Sequence, residues 1–334
     1  PNRASDCLSH RGIARELATL LDTEMKHDPL QEKIDLLKGS KITLNIEEES
    51  LCKCFTAAVV TGVKVGESPD WLKQCLEALG QRSINNVVDA TNYVMFALGQ
   101  PTHAFDFDKL EKNADGQANI TIRLGKEGES LTLLSGEQID SNENILHLVD
   151  GNSEALLDLA GIKGGAAAEL TDETTNIVVT SGNFDYASVR KTSQRLKVVT
   201  DASQRFQNQP SVKLAKYGLN ETVELILKLA GGECDGLVEV GSEDEAPVTT
   251  SVRVEAVNSL LGLSLSKEEM SAILKRVAYK VEETEAGFKV TSPWERKDLN
   301  IEADYIEEVG RVHGLSEITS VEPEKRPLTK VNKK

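Results

Sequence analysis

NNVVDATNYVMFALGQPTHAFDFD, residues 85–108, changes character at Gly99. Before it, Val87, Val88, Thr91, Val94, Met95 and Leu98 recur at helical spacing, which predicts a helix that carries Thr91 and Asn92 and stops at Gly99. Beyond it, Pro101 stiffens a turn that presents His103. An imidazole just past a helix stop is reachable by ligand, and its charge changes near neutral pH. Beside an amide side chain it can position a water for attack on an ester. The same histidine can equally serve a buried backbone group.

Working outward, Ser68-Pro69 predicts the start of a preceding helix, with Ser68 as N-cap and Pro69 at its first position. Its apolar face is Trp71, Leu72, Cys75, Leu76 and Leu79, and Gly80 supplies the stop. Upstream, KITLNIEE (41–48) and FTAAVVTGVKV (55–65) read as strands, and Ile13, Leu17, Leu20 and Leu21 form one apolar helical stripe. Downstream, ITIRL, SLTLL, ILHLV and NIVVT are short β-rich runs between turns, and a helix is predicted from about Ser211 to Leu229. Strands grouped together and flanked by helices predict an α+β fold, here a mixed α/β first domain over 1–240.

The stretch GGECDGLVEVGSEDEAP (231–247) is Gly-rich and acidic, and the domain boundary is expected within it. A smaller α+β domain follows over 247–320. Ser266 and Glu269 form a capping box ahead of Met270, Ile273 and Leu274, YKVEE and FKVTS read as strands, and a last helix is expected over 301–313. Residues 321–334, with Lys325, Arg326, Lys330, Lys333 and Lys334, read as a basic tail or linker.

The 334 residues suit two domains at roughly 100–200 residues each. Lys and Arg number 38 against 54 Asp and Glu, and a formal charge of −16 repels polyanions at long range. That excludes a free-standing, non-specific nucleic-acid binder, though one end of a nucleic acid can still enter a local pocket. No apolar run approaches the roughly 20 residues of a membrane span, and PNRASDC lacks the order of a signal peptide. Opening on Pro1, the chain reads as a piece of a longer protein. Five cysteines are odd in number and sparse, which fits a reducing cytoplasm better than a disulfide framework. Cys52 and Cys54 fall at period two inside a strand-like run, with no second pair to complete a zinc site.

Two further stretches carry candidate chemistry. In LAGIKGGAAAEL (159–170), Gly161, Gly164 and Gly165 let backbone approach a ligand, or make a tight turn; neither a Walker loop nor a dinucleotide fingerprint is present. In WERKDLNIEADYIEEVGRVHG (294–314), Asp304, Glu307 and Glu308 share one face of the last helix, and Asp298 precedes it. Four carboxylates suit a hard cation such as Mg²⁺; the alternative is a solvated acidic face with Arg311 pairing Glu307 or Glu308.

Together these stretches resemble the β subunits of bacterial phenylalanine–tRNA ligases. PNRASDCLSHRGIARELA resembles the lead into the editing region; SINNVVDATNYVMFALGQPTHAFDFDKL and AGIKGG…NIVVTSGNFDYASVRKTSQRL resemble the B-three/B-four editing module; VNSLLGLSLSKEEMSAILKRVAYKVEE…DLNIEADYIEEVGRVHGL resembles the B-five domain. The resemblance implies a part of a cytoplasmic α₂β₂ enzyme that attaches phenylalanine to tRNA(Phe) with ATP and Mg²⁺. Its partners would be the α subunit and that tRNA, with neither DNA nor membrane involved. Synthesis would occur in the α subunit, and the β module would hydrolyse tyrosine mischarged onto the tRNA. It further implies that His103, Asn92 and Thr91 are editing-site residues, that Ala160, Gly161 and Gly164 give the ring room, and that Asp298, Asp304, Glu307 and Glu308 bind Mg²⁺. Two departures stand out. Thr180 occupies the strand position where many relatives carry a Glu that reads the tyrosine hydroxyl, and RFQNQPS (205–211) replaces the RFE-x-G-x-DP run. A rival expectation is a non-catalytic module for assembly and tRNA docking, its pocket decayed. The editing expectation requires residues 91–103 and 160–180 to close around one hollow.

Overall fold

The computed structural model describes residues 3–31, 34, 38–242, 245–320 and 322. It divides into two compact units, Pro1–Ala246 with Trp294–Asp298, and Pro247–Pro293 with Leu299–Lys334. The basic tail expected at 321–334 lies, apart from residue 322, outside the described residues.

The first unit begins with α1 (Ala4–Cys7), α2 (His10–Leu21), β1 (Ile42–Ile46), β2 (Cys52–Thr61), α3 (Asp70–Ala78), α4 (Asn86–Leu98) and β3 (Thr102–Asp106). There follow β4 (Ala118–Leu124), β5 (Ser130–Thr132), β6 (Gln138–Asp140), β7 (Leu146–Asp150), β8 (Leu156–Leu159), β9 (Lys163–Gly164) and β10 (Asn176–Phe184). It ends with α5 (Tyr186–Leu196), α6 (Asp201–Phe206), α7 (Leu214–Ala230) and β11 (Glu233–Gly241).

These strands make two main sheets. One runs β1-β4-β7-β8-β9, with only β1 and β4 parallel; the other runs β11-β2-β10-β3, antiparallel throughout. The β2 run is apolar on both faces because it sits between two cores. Phe55, Ala57 and Val59 join Ile120, Ile122, Leu148 and Leu157 in a core shared by the sheets. Ala58 and Val60 meet Val87 of α4 and Leu219, Val223 and Ile226 of α7 on the other face. Each of the larger buried side chains in these cores contributes about 1.5–3 kcal/mol, and the layers run sheet, sheet, helices. The fold is α+β.

Several local expectations are corrected. Helix α3 starts one residue later, with Pro69 at the N-cap position, because Ser68 donates instead to Asp89 Oδ2 (2.6 Å). Buried Asp89 also accepts from Ser83 Oγ (2.5 Å) and Ile84 N–H (2.9 Å), which pins the segment entering α4. The residues after Pro101 form strand β3 rather than a turn. Half of the Gly-rich stretch 231–247 is the edge strand β11, although the units do divide within that stretch, at Ala246. The α2 stripe is not packed: Ile13, Leu17, Leu20 and Leu21 are 43–72% exposed.

Residues Trp294–Asp298 belong with the first unit. Glu295 is 6% exposed and pairs with Arg11 (2.9 Å) and Arg15 (3.1 Å), while Trp294 stacks on Tyr217 at 6.2 Å between centroids.

The second unit comprises β12 (Thr249–Arg253), α8 (Val254–Leu261), α9 (Lys267–Val277), β13 (Lys280–Glu283), β14 (Gly287–Thr291) and α10 (Glu302–His313). Its sheet order is β12-β14-β13. The Ser266–Glu269 capping box forms as read, and Met270, Ile273 and Leu274 enter a core with Phe288, Tyr305 and Val309. No helix among the described residues is long and apolar enough to cross a membrane.

Candidate active site

Helix α4 is held at both ends by local chemistry. Asn85 Oδ1 accepts from the N–H groups of Val87 (3.1 Å) and Val88 (2.9 Å), and Gly99 closes the helix at φ +87°. Gln100, fully buried, donates to the Pro101 and Gly182 carbonyls, which ties the crossing into β3 to the neighbouring strand β10. His103 therefore stands in a sheet, directly opposite Thr180 of β10.

Between the two main sheets lies a cavity of about 320 Å³. Thr91, Asn92, His103, Gly161, Gly164 and Thr180 all line it, bringing six residues from four separate segments to one hollow. Ala160 does not line it; it is 3% exposed and packs in the core beneath. Thr91 Oγ1 donates to the Val88 carbonyl at 2.7 Å, so its proton is committed within α4. Thr180 Oγ1 likewise donates to the His103 carbonyl at 3.3 Å and faces the cavity with acceptor capacity only.

The glycines make the room. A methyl group built on Gly164 would lie 2.8 Å from His103 Cε1 and 2.9 Å from Nε2. One on Gly161, where φ is +70°, would lie 2.9 Å from Phe184 and 3.0 Å from Phe206. These two rings meet edge to face at 5.1 Å and form an aromatic wall. His103 is half-buried and leans on Phe105 at 4.6 Å between centroids. Burial pushes its pKa down to about 4, so the imidazole is neutral at physiological pH.

The sequence reading passed over Asp158, which also lines the cavity. It is 7% exposed, and burial pushes its carboxyl well above the usual carboxylate range, against the pull of the Leu159 N–H. The available signal was a lone acid inside the apolar strand Leu156–Leu159.

Three of the four carboxylates expected to hold Mg²⁺ have other partners. Asp298 takes Arg296 in a two-pronged pair (2.9 and 2.7 Å), and Asp304 accepts from Asn300 and Ile301 N–H at the start of α10 (both 2.8 Å). Glu308, 4% exposed, pairs with Arg311 at 2.7 Å, while Glu307 is exposed. The residues expected on one acidic face thus divide between buried and solvent positions. Among the described residues no three His, Cys, Asp or Glu side chains gather to hold a metal. With an arginine on Asp298 and on Glu308 and backbone N–H groups on Asp304, three of these side chains are not presented as free donors for Mg²⁺. None of the five cysteines is in a disulfide, and Cys52 and Cys54 are buried in β2.

Residues 51–231 match the family model of the B3/4 domain, and residues 250–315 that of the tRNA synthetase B5 domain. The phenylalanine–tRNA ligase β subunit of Geobacter metallireducens is 40% identical over 98% of this chain and 40% of its own length. That of Rhodopirellula baltica is 37% identical over 97% of this chain and 46% of its own length. The chain therefore spans less than half of these relatives. A solved N-terminal fragment of the phenylalanyl-tRNA synthetase β subunit from Pyrococcus horikoshii aligns with a TM-score of 0.44 at 18% identity, over 93% of this chain and 84% of that one.

Proposed function

The chain belongs to the family of phenylalanine–tRNA ligase β subunits, of which it carries the B3/4 and B5 domains, and from that premise we propose that the cavity around His103 hydrolyses tyrosyl esters mischarged onto tRNA(Phe). The observation that carries this reading is the convergence of a neutral imidazole, Asn92 and two glycines on one hollow. A synthetic pocket rejects an isostere bearing one extra hydroxyl only about a hundredfold, so a second, hydrolytic pocket is the chemical remedy.

In this reading, His103 and Asn92 hold water and ester in register. A base whose conjugate acid has a pKa of about 4 retains a proton poorly, so the imidazole acts chiefly by orienting the water through a hydrogen bond. The aromatic wall of Phe184 and Phe206 excludes solvent from the ring of the amino acid. The whole enzyme would be an α₂β₂ assembly in the cytoplasm, attaching phenylalanine to tRNA(Phe) with ATP and Mg²⁺. Its α subunit would perform synthesis, and the tRNA end would move to this cavity for correction.

The test is deacylation of preformed Tyr-tRNA(Phe) by the whole enzyme and by its His103→Ala variant. The expected result is a loss of about 10²-fold in the variant, the cost of misplacing a reacting group. Equal rates would remove His103 from the reaction, and an inactive parent enzyme would favour the docking module.

A further inference from the structure

Asp158 is a buried acid that the hydrolytic chemistry leaves without a task. Across three neighbouring strands, Leu148, Asp158 and Gly164 stand directly opposite one another. Opposed positions in an antiparallel pair project to the same face, with Cβ atoms about 5 Å apart. The face in question is the one on which the Gly164 Cβ direction meets the His103 imidazole. Asp158 therefore points into the cavity from the five-stranded sheet, while Thr180 borders it from the four-stranded sheet.

Two polar atoms of buried residues bordering the cavity have no hydrogen-bond partner among the described residues: Asp158 Oδ1 and Ser181 Oγ. Ser181 points elsewhere. Its Oγ lies 3.6 Å from where a Cβ on Gly218 would stand, on the α7 side of the sheet, and it alternates with Thr180 along β10. Asp158 Oδ1 remains as the group awaiting a partner inside the hollow.

We propose that Asp158 reads the phenolic hydroxyl of the aminoacyl ester, pairing with it from the sheet opposite Thr180. This rests on the hydrolytic reading above and names what gives that site its selectivity. A carboxyl group offers an acceptor oxygen and, when protonated, a donor as well, so it satisfies a phenol whichever way its proton points. Thr180, with its own proton committed to the His103 carbonyl, offers acceptance alone. A phenylalanyl ring would leave Asp158 buried and unanswered, and sites built to bond a substrate hydroxyl reject the analogue without it far more strongly than apolar pockets do.

The experiment measures kcat/KM of the whole enzyme for deacylation of Tyr-tRNA(Phe) and Phe-tRNA(Phe), for the parent, Asp158→Ala and Asp158→Asn. Asp158→Ala is expected to lower the tyrosyl rate about 100-fold and leave the phenylalanyl rate within about threefold, while Asp158→Asn, which keeps a donor and an acceptor, retains most of the ratio. Melting of both variants at or above the parent temperature confirms that folding is intact, since each removes a buried unsatisfied acid. An unchanged Tyr/Phe ratio in Asp158→Ala, or an equal loss of both rates, overturns the assignment of Asp158 while leaving the site hydrolytic. A parent enzyme that hydrolyses neither ester overturns the hydrolytic reading, and this inference with it.

Discussion

Gly164 stands so close to His103 that a single added methyl group would lie 2.8 Å from the imidazole carbon Cε1. The strand β9 and the strand β3 belong to different sheets, and this near contact sets one width of the cavity. Gly164→Ala would push only side chains, the imidazole and Leu134, so the expected stability cost is about 1–2 kcal/mol. Tyrosyl deacylation should fall about 10²-fold, because a displacement near 1 Å costs that much at a reacting centre. Gly161→Ala differs, since it needs φ +70° and meets Phe184 and Phe206. It should lose about 2–4 kcal/mol. Urea midpoints for the two variants separate the effects.

Acid should weaken the first unit through His103 and His147. Burial holds both His103 and His147 at about 4, while each sits near 6.5 unfolded. Between about pH 6.5 and 4 the unfolded chain binds more protons, so stability is lost as pH falls through that window. His147 donates from Nδ1 to the Asp158 carbonyl (3.2 Å), accepts at Nε2 from Ser141 Oγ (2.7 Å) and is fully buried. His147→Gln should lower the slope of unfolding free energy against pH by up to about 1.4 kcal/mol per unit there. A slope identical to the parent's would show that His147 titrates normally.

Asp158 contributes with the opposite sign. Its folded pKa is raised, so its contribution is full below the unfolded value near 3.8 and is lost as pH rises above it. Asp158→Asn should therefore gain on the parent as the pH climbs from 4 to 8, with no gain below 4. Thermal melts at four pH values check it.

At the start of α4, Asn85→Ala removes the acceptor for two N–H groups. The expected cost is about 1 kcal/mol. Faster amide exchange should be confined to Asn86, Val87, Val88 and their neighbours, and the tyrosyl rate should fall because Thr91 and Asn92 sit one turn further along.

In the second unit, Arg311→Ala strips the cation from a Glu308 that is 4% exposed. A loss of about 1–3 kcal/mol is expected by urea unfolding, from taking one ion-pair partner away from a buried carboxylate. Chelation of divalent ions should leave the parent's melting temperature unchanged, because Arg296, Arg311 and the N–H groups at the start of α10 already meet these charges. A chelator-induced drop would show that the carboxylates exchange these partners for a metal.

How much of this was legible in the sequence depends on how local the cause is. Helices α4, α7 and α9 were readable because their stops and caps, Gly99, Gly231 and Ser266, act within a few residues. Strand β3 was not, because THAFD pairs only with β10, more than seventy residues later. Strand β11 hid in a Gly-rich acidic stretch because an edge strand tolerates glycine and charge that a central strand would not. The meeting of His103 with Gly161, Gly164 and Thr180 was expected only through the family resemblance, and Asp158 escaped because one acid among leucines carries no periodic signal. Helical spacing placed Asp304, Glu307 and Glu308 near one another, yet could not say which would turn inward to an arginine.

The exposed row Ile13, Leu17, Leu20 and Leu21 on α2 has a consequence at the bench. Four aliphatic side chains facing water along one helix make an adhesive strip on an otherwise strongly anionic body, whose mutual repulsion keeps copies apart only while ionic strength is low. Sulfate salts both mute that repulsion and strengthen apolar contact, so concentrated stocks of this chain should cloud on salting while dilute, low-salt ones stay clear.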